Sequence, residues 1–204
     1  GMRKQGLPVD KWIERFGDWL NEQGLLWPEH PTGFRATVTP KQFKQILKAD
    51  DERLHKDWAY LKRYQEQNKA LLPVKQGENR VVFMGSSRVE NWRKYDSTFF
   101  IANNYINRGV SGQTSPQMLL RFRQDVIDLK PAAVVFLGGS NDIAQNTGPT
   151  TLEAIVNNVA SMAELAKVNG IKIILCSELP ASDYPWRPGL EPAEKILTLN
   201  KLIK

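Results

Sequence analysis

From Asn79 onward the apolar positions follow two alternating rhythms. Short runs rich in β-branched and aromatic residues recur at Arg80 to Met84, Asn104 to Asn107, Ala132 to Leu137 and Ile171 to Cys176. Each is too short for a helix and ends in a Gly- or Ser-containing loop, which predicts buried strands. Between them the spacing changes to that of a helix. Met118, Leu119, Phe122, Val126 and Leu129 line one face of a helix opened by Ser115-Pro116 and stopped by Pro131. Ile155, Val159, Met162 and Leu165 do the same over Thr151 to Val168, ended by Asn169-Gly170. Arg88-Val89-Glu90-Asn91-Trp92 opens a helix after the first strand, and a last helix starts near Pro192. Strands alternating with helices predict an α/β fold, a parallel sheet covered on both faces.

Residues 1 to 50 read differently. Trp12, Ile13, Phe16, Trp19 and Leu20 share one helical face within Val9 to Glu22. Thr39-Pro40 opens a second helix that buries Phe43, Ile46 and Leu47, and Asp51 to Leu72 forms a third, with Leu54, Trp58 and Leu61 on one face and Pro73 at its end. The expectation is a helical N-terminal extension (1–50) packed on an α/β domain (51–204).

Composition narrows the function classes. The chain has 204 residues, 41% hydrophobic and 25% charged, as in ordinary globular proteins. No apolar run reaches the roughly 18 residues of a membrane span. The start, Gly1-Met2-Arg3-Lys4, has no apolar signal core, and the sequence leaves the compartment open. A net charge of +6 could suggest nucleic acid, but the basic residues alternate with acids and form no block. They read as a solvated surface, so no nucleic-acid partner is expected. Cys176, the single cysteine, excludes an intrachain disulfide and reads as a small core residue. No metal cluster or cofactor fingerprint is visible; Gly138-Gly139-Ser140 lacks the pattern of a dinucleotide site.

The chemistry gathers in three loops, each following a strand. In a parallel sheet such loops open on one edge, where α/β proteins place their ligands. They carry Ser87, Gly109 and Asn141. Acyl transfer needs a nucleophile and donors aimed at the oxygen that becomes negative. Ser87 at a helix N-terminus suits the first role, and the Gly109 N–H, the Asn141 amide and the Ser87 N–H suit the second. Taken singly, each has a plainer reading: a turn and helix cap, a turn glycine, a loop asparagine.

Together, in order, these loops resemble the SGNH or GDSL-type esterases and acylhydrolases, the lysophospholipase-like hydrolases. The first block is Val82-Phe83-Met84-Gly85-Ser86-Ser87, the second Asn107-Arg108-Gly109-Val110-Ser111-Gly112-Gln113-Thr114, the third Gly139-Ser140-Asn141-Asp142. Asp57 to Tyr64 looks like the lead-in helix of bacterial members. The resemblance implies a flavodoxin-like three-layer sandwich, Ser87 as nucleophile, Gly109 and Asn141 as the oxyanion hole, no cofactor, and a small-molecule or carbohydrate ester as substrate, with acetyl groups on carbohydrate as one such case. Members are often secreted or periplasmic.

Two departures stand out. Ser86 replaces the family's usual aspartate, which bears on loop anchoring more than on chemistry. The family's catalytic Asp-x-x-His, expected after a fifth strand, has no counterpart before Lys204. The two histidines, His30 and His55, both precede Ser87; His30 lies in Pro28-Glu29-His30-Pro31 with Trp27 where the aspartate would stand, and His55 has Asp51 one turn earlier. The expectation is a chain without its C-terminal block, hence a very poor esterase alone, with an open sheet edge, Ile196, Leu199 and Ile203 partly uncovered, and a tendency to self-associate. The alternative, from another class, is a non-catalytic SGNH-like binding module that keeps the cleft and has lost the base.

Overall fold

The computed structural model describes residues 55–204. The helices expected over Val9 to Glu22 and from Thr39, and with them the 1–50 extension, lie outside the described residues.

Among the described residues four strands form one sheet: β1 (Val81–Gly85), β2 (Tyr105–Gly109), β3 (Ala133–Leu137) and β4 (Lys172–Leu175). Their order is β2-β1-β3-β4, and every pairing is parallel. β1 is flanked on both sides, so Gly85 stands opposite Gly109 on one side and Leu137 on the other. The chain folds as the expected α/β sandwich.

Side chains along β1 alternate between two apolar layers, as the pleat requires. Val82 and Met84 join Ile106, Val134 and Phe136 beneath α4 (Ser115–Asp125) and α6 (Leu152–Val168), which contribute Met118, Phe122, Val159 and Met162. Phe83 points the other way, into α2 (Ser87–Tyr95) and α3 (Ser97–Ala102). There it meets Trp92, Phe99, Phe100 and Tyr105 at centroid distances of 5.2 to 5.8 Å, mostly edge to face. That geometry suits the aromatic quadrupole.

Local chemistry sets the helix ends. α4 starts with a reciprocal cap between Thr114 and Gln117, with Pro116 in its first turn, one residue earlier than the Ser115 cap expected. It also ends earlier than expected: beyond Asp125 the chain tightens into a 3₁₀ turn over Ile127–Leu129 before Pro131. Thr151 caps α6, accepting from the Ala154 N–H at 3.1 Å.

The expected helix over Asp51 to Leu72 is broken within its described part. The Asp57 carboxylate accepts from the N–H groups of Leu61 (2.8 Å) and Lys62 (3.0 Å), and Tyr60 takes a left-handed φ of +58°. An aspartate tying off nearby backbone competes with helix propagation. From there to Leu72 only α1 (Gln65–Lys69) is helical. Trp58 and Leu61 are consequently exposed, and Ala59 and Tyr64 are buried in their place.

α7 (Ala193–Leu202) corrects another expectation. Ile196 and Leu199 are fully buried against Ile143, Ala144, Ile155 and Tyr184, and Ile203 is half-buried on the same cluster. A layer from the loops after β3 and β4 supplies that cover. Among the described residues β4 is the terminal strand, with Ile174 44% exposed.

Candidate active site

The three predicted loops do meet at one end of the sheet. Ser87 is the first residue of α2, immediately beyond β1, and is half-buried. The first N–H groups of a helix have no partner within it, so Ser87 sits among free donors at the positive end of the helix dipole. The helix closes its first turn from Glu90 N–H to the Ser86 carbonyl at 3.0 Å.

Asn141 lies in the short α5 (Ser140–Ile143), just past β3, and is 5% exposed. Its side-chain amide donates to the Gln113 carbonyl at 2.9 Å. An amide has two N–H groups, so one is spent on holding the loop after β2 and one remains. Asp142, beside it, is the anchor: its carboxylate accepts the Ser115 N–H at 2.9 Å and the Ser115 hydroxyl at 2.6 Å, pinning α5 to the start of α4. Burial pushes the Asp142 carboxyl up to about 6, against the opposing pull of the Ser115 bonds.

Gly109, the other expected oxyanion donor, closes β2. Its N–H donates to Asn107 Oδ1 at 2.9 Å, and the Asn107 amide in turn donates to the Val89 carbonyl of α2. A Cβ on Gly109 would stand 2.2 Å from the Glu90 nitrogen. The glycine therefore permits close packing of β2 on α2, and its N–H is engaged. Gly112, three residues on, has φ +77° and an N–H without a hydrogen bond among the described residues. It adjoins Gln113, which Asn141 holds. The sequence signal for Gly112 was its place inside the second block; that Asn107 occupies the Gly109 N–H is a tertiary fact.

A fourth loop, after β4, supplies Glu178, a residue the sequence reading passed over although the same sheet-edge rule points to it. Its side chain is fully buried; it accepts the Ser140 N–H at 3.1 Å and pairs with Arg88, the residue after Ser87. Asn200 of α7 clamps its backbone from both sides, at 2.7 and 2.8 Å. Glu178 thus ties the start of α2 to the start of α5. Burial, aided by the Glu178 charge, pushes the Tyr184 hydroxyl up to about 12, and this hydroxyl is buried with no hydrogen-bond partner among the described residues.

Beneath the site runs a buried polar network. Arg121, fully buried on α4, donates to Gln113 Oε1 (2.6 Å), to Asp125 (2.9 Å) and to the Gly85 carbonyl (3.4 Å). Asn68 bridges Asp125 (2.7 Å) and Arg108 (2.8 Å). Arg108 lies over the Tyr64 ring at 4.7 Å, and Tyr64 donates its hydroxyl to the Gly109 carbonyl. Burial lowers the Arg108 guanidinium to about 10. These arginines correct the reading of the basic residues as a solvated surface.

On the other side of the loop after β2, Glu90 accepts from Arg63 (2.8 Å) and from the Ser111 N–H (2.7 Å). Burial raises its carboxyl, but the Ser111 and Arg63 bonds outweigh burial and hold it below the usual range. His55 is exposed, ahead of α1. Residues 81–204 contain no histidine. Among the described residues no cluster of His, Cys, Asp and Glu has metal-binding geometry, and no helix is long and apolar enough to cross a membrane.

The arrangement has known counterparts. The model of the GDSL-like Lipase/Acylhydrolase family matches residues 81–204. A GDSL-like lipase from Bacteroides thetaiotaomicron superposes with a TM-score of 0.71 at 51% identity, covering 72% of each chain. A candidate acylhydrolase from Bacteroides fragilis gives 0.71 at 49% identity, over 72% of this chain and 71% of that one. Esterase TesA of Pseudomonas aeruginosa is 36% identical over 81 residues, 39% of each chain. The matches span 32 to 39% of the length of the curated relatives.

Proposed function

The chain belongs to the GDSL-like lipase/acylhydrolase family, and on that footing we propose that it is a serine esterase with Ser87 as nucleophile, releasing acyl groups, acetyl on carbohydrate among them. The observation that carries the reading is the seat of Ser87. It stands at a helix N-terminus past the central strand, with a buried asparagine amide presented from the next strand.

The Ser87 hydroxyl attacks the acyl carbon, and the carbonyl oxygen takes the charge. The Ser87 N–H and the second N–H of Asn141 face that oxygen. For a third donor the loop after β2 offers Gly112, whose N–H has no hydrogen bond among the described residues, or Gly109, if Asn107 releases its N–H. Preorganised donors of this kind cost no rearrangement as the charge develops. The residues named here carry attack and oxyanion stabilisation; the base that takes the Ser87 proton is not assigned among them, and residues 81–204 hold no histidine.

The test is labelling with a fluorophosphonate probe, which reacts with an activated serine. Wild-type protein should label on Ser87, and Ser87→Ala should not. Absence of labelling in the wild type would favour the alternative, a binding module with a preserved cleft and no activated serine.

A further inference from the structure

We propose that Trp186 is a stacking platform for a pyranose ring, making the alcohol half of the ester a glycoside; this rests on the esterase reading of Ser87. Trp186 lies in the loop between β4 and α7 and is 54% exposed. One face of its indole stacks on Tyr184, with centroids 4.9 Å apart and planes at 27°. Its N–H donates to Asn146 Oδ1 at 3.1 Å. Asn146 is bound in turn to both site loops: its backbone N–H donates to the Asn141 carbonyl at 3.0 Å, and its side-chain amide to the Gly112 carbonyl at 3.1 Å. The exposed indole is therefore fastened to the residues that carry the oxyanion donors.

The loop is built to hold it there. The Asp183 carboxylate accepts from the N–H groups of Tyr184 (2.8 Å) and Gly189 (3.1 Å), and the Tyr184 carbonyl accepts from Arg187 N–H (2.8 Å). Tyr184 itself is buried with Ile196 and Leu199. With its N–H engaged and its inner face stacked, the indole keeps its outer face in water.

The surroundings choose the ligand. Asn146 borders the ring at the indole N–H and itself reaches the loop after β2, which leaves an exposed apolar face with an amide at its edge. A sugar ring matches that pattern, with C–H bonds on its face and hydroxyls at its edge, whereas a long acyl chain needs an apolar trough. Tryptophan suits such a site because it joins a large rigid face to one polar handle.

The test uses Ser87→Ala protein, which binds without turnover, titrated calorimetrically with a mono-acetylated methyl glucoside, with ethyl acetate and with ethyl dodecanoate. Adding Trp186→Ala should weaken binding of the acetylated glucoside about three- to tenfold and leave ethyl acetate unchanged. Trp186→Phe, which keeps the stack on Tyr184, should restore part of the loss and covers the case in which the alanine variant misfolds. Equal glucoside affinity in all three proteins overturns the proposal, as does a Trp186-dependent preference for ethyl dodecanoate. Fluorophosphonate labelling of the wild type is read separately. Trp186-dependent glucoside binding with Ser87 unlabelled supports the platform and removes the esterase; labelling without glucoside binding removes the platform alone.

Discussion

Asp125→Asn is a direct test of what holds the floor of the site. Asp125 is the carboxylate paired with Arg121, at 2.9 Å, and both side chains are fully buried. Burial pulls the Arg121 pKa below its usual value, and the adjacent Asp125 charge and hydrogen bond oppose that pull. Asparagine has nearly the same shape, but its amide turns a donor toward Arg121 or leaves Asn68 unsatisfied, and the positive charge stays buried without a counter-ion. Breaking one partner of such a pair costs about 3–5 kcal/mol. For a protein of this size each kcal/mol lowers Tm by about 2–4 °C, so the variant should melt about 6–20 °C below wild type. Urea unfolding followed by circular dichroism measures the free energy. The companion experiment replaces both residues, Arg121→Met with Asp125→Leu. A well-packed apolar pair of similar volume is often no worse than the ion pair, so the double variant should recover at least half of the loss. A cost for Asp125→Asn below about 1 kcal/mol, or a double variant as unstable as the sum of the singles, would refute the reasoning. Activity should fall with stability, because Arg121 holds Gln113 and the Gln113 carbonyl holds Asn141.

Three further outcomes follow from particular residues. In catalytically competent protein, Asn141→Ala should lower kcat on p-nitrophenyl acetate by about 10²–10³ with a small change in Tm; an unchanged kcat removes Asn141 from the oxyanion site. Asp142→Asn tests pH dependence. The carboxyl is raised from 3.8 to about 6 on folding, so its contribution is fully present below about pH 4 and is lost as pH rises through 6. The shift corresponds to about 3 kcal/mol, so Asp142→Asn should gain up to that much relative to wild type between pH 4 and 7; a flat difference in urea titrations at the two pH values refutes it. Gly109→Ala places a methyl against the Glu90 backbone and should cost at least about 1–3 kcal/mol, visible as a lowered Tm; a neutral result would mean that α2 shifts freely off β2.

The local pattern determined the frame. Four short apolar runs separated by helical spacings were enough to place β1 to β4, α4, α6 and α7, because strand and helix periods differ and burial imposes them on the sequence. Motif order likewise placed Ser87 and Asn141 at one sheet edge, since parallel strands all end on the same side. Tertiary structure decided the rest. Arg108 and Arg121 read as surface charges until distant Asp125 and Asn68 were brought beside them, and a charge is buried or solvated according to partners that spacing does not reveal. That Asn107, on the same strand, holds the Gly109 N–H is likewise invisible in the sequence. The Asp57 to Tyr64 stretch read as helix until its own aspartate capped the turn and left Trp58 outside. Each of these turns on which polar groups become neighbours, and a hydrogen bond between residues far apart in the chain leaves no period in the sequence.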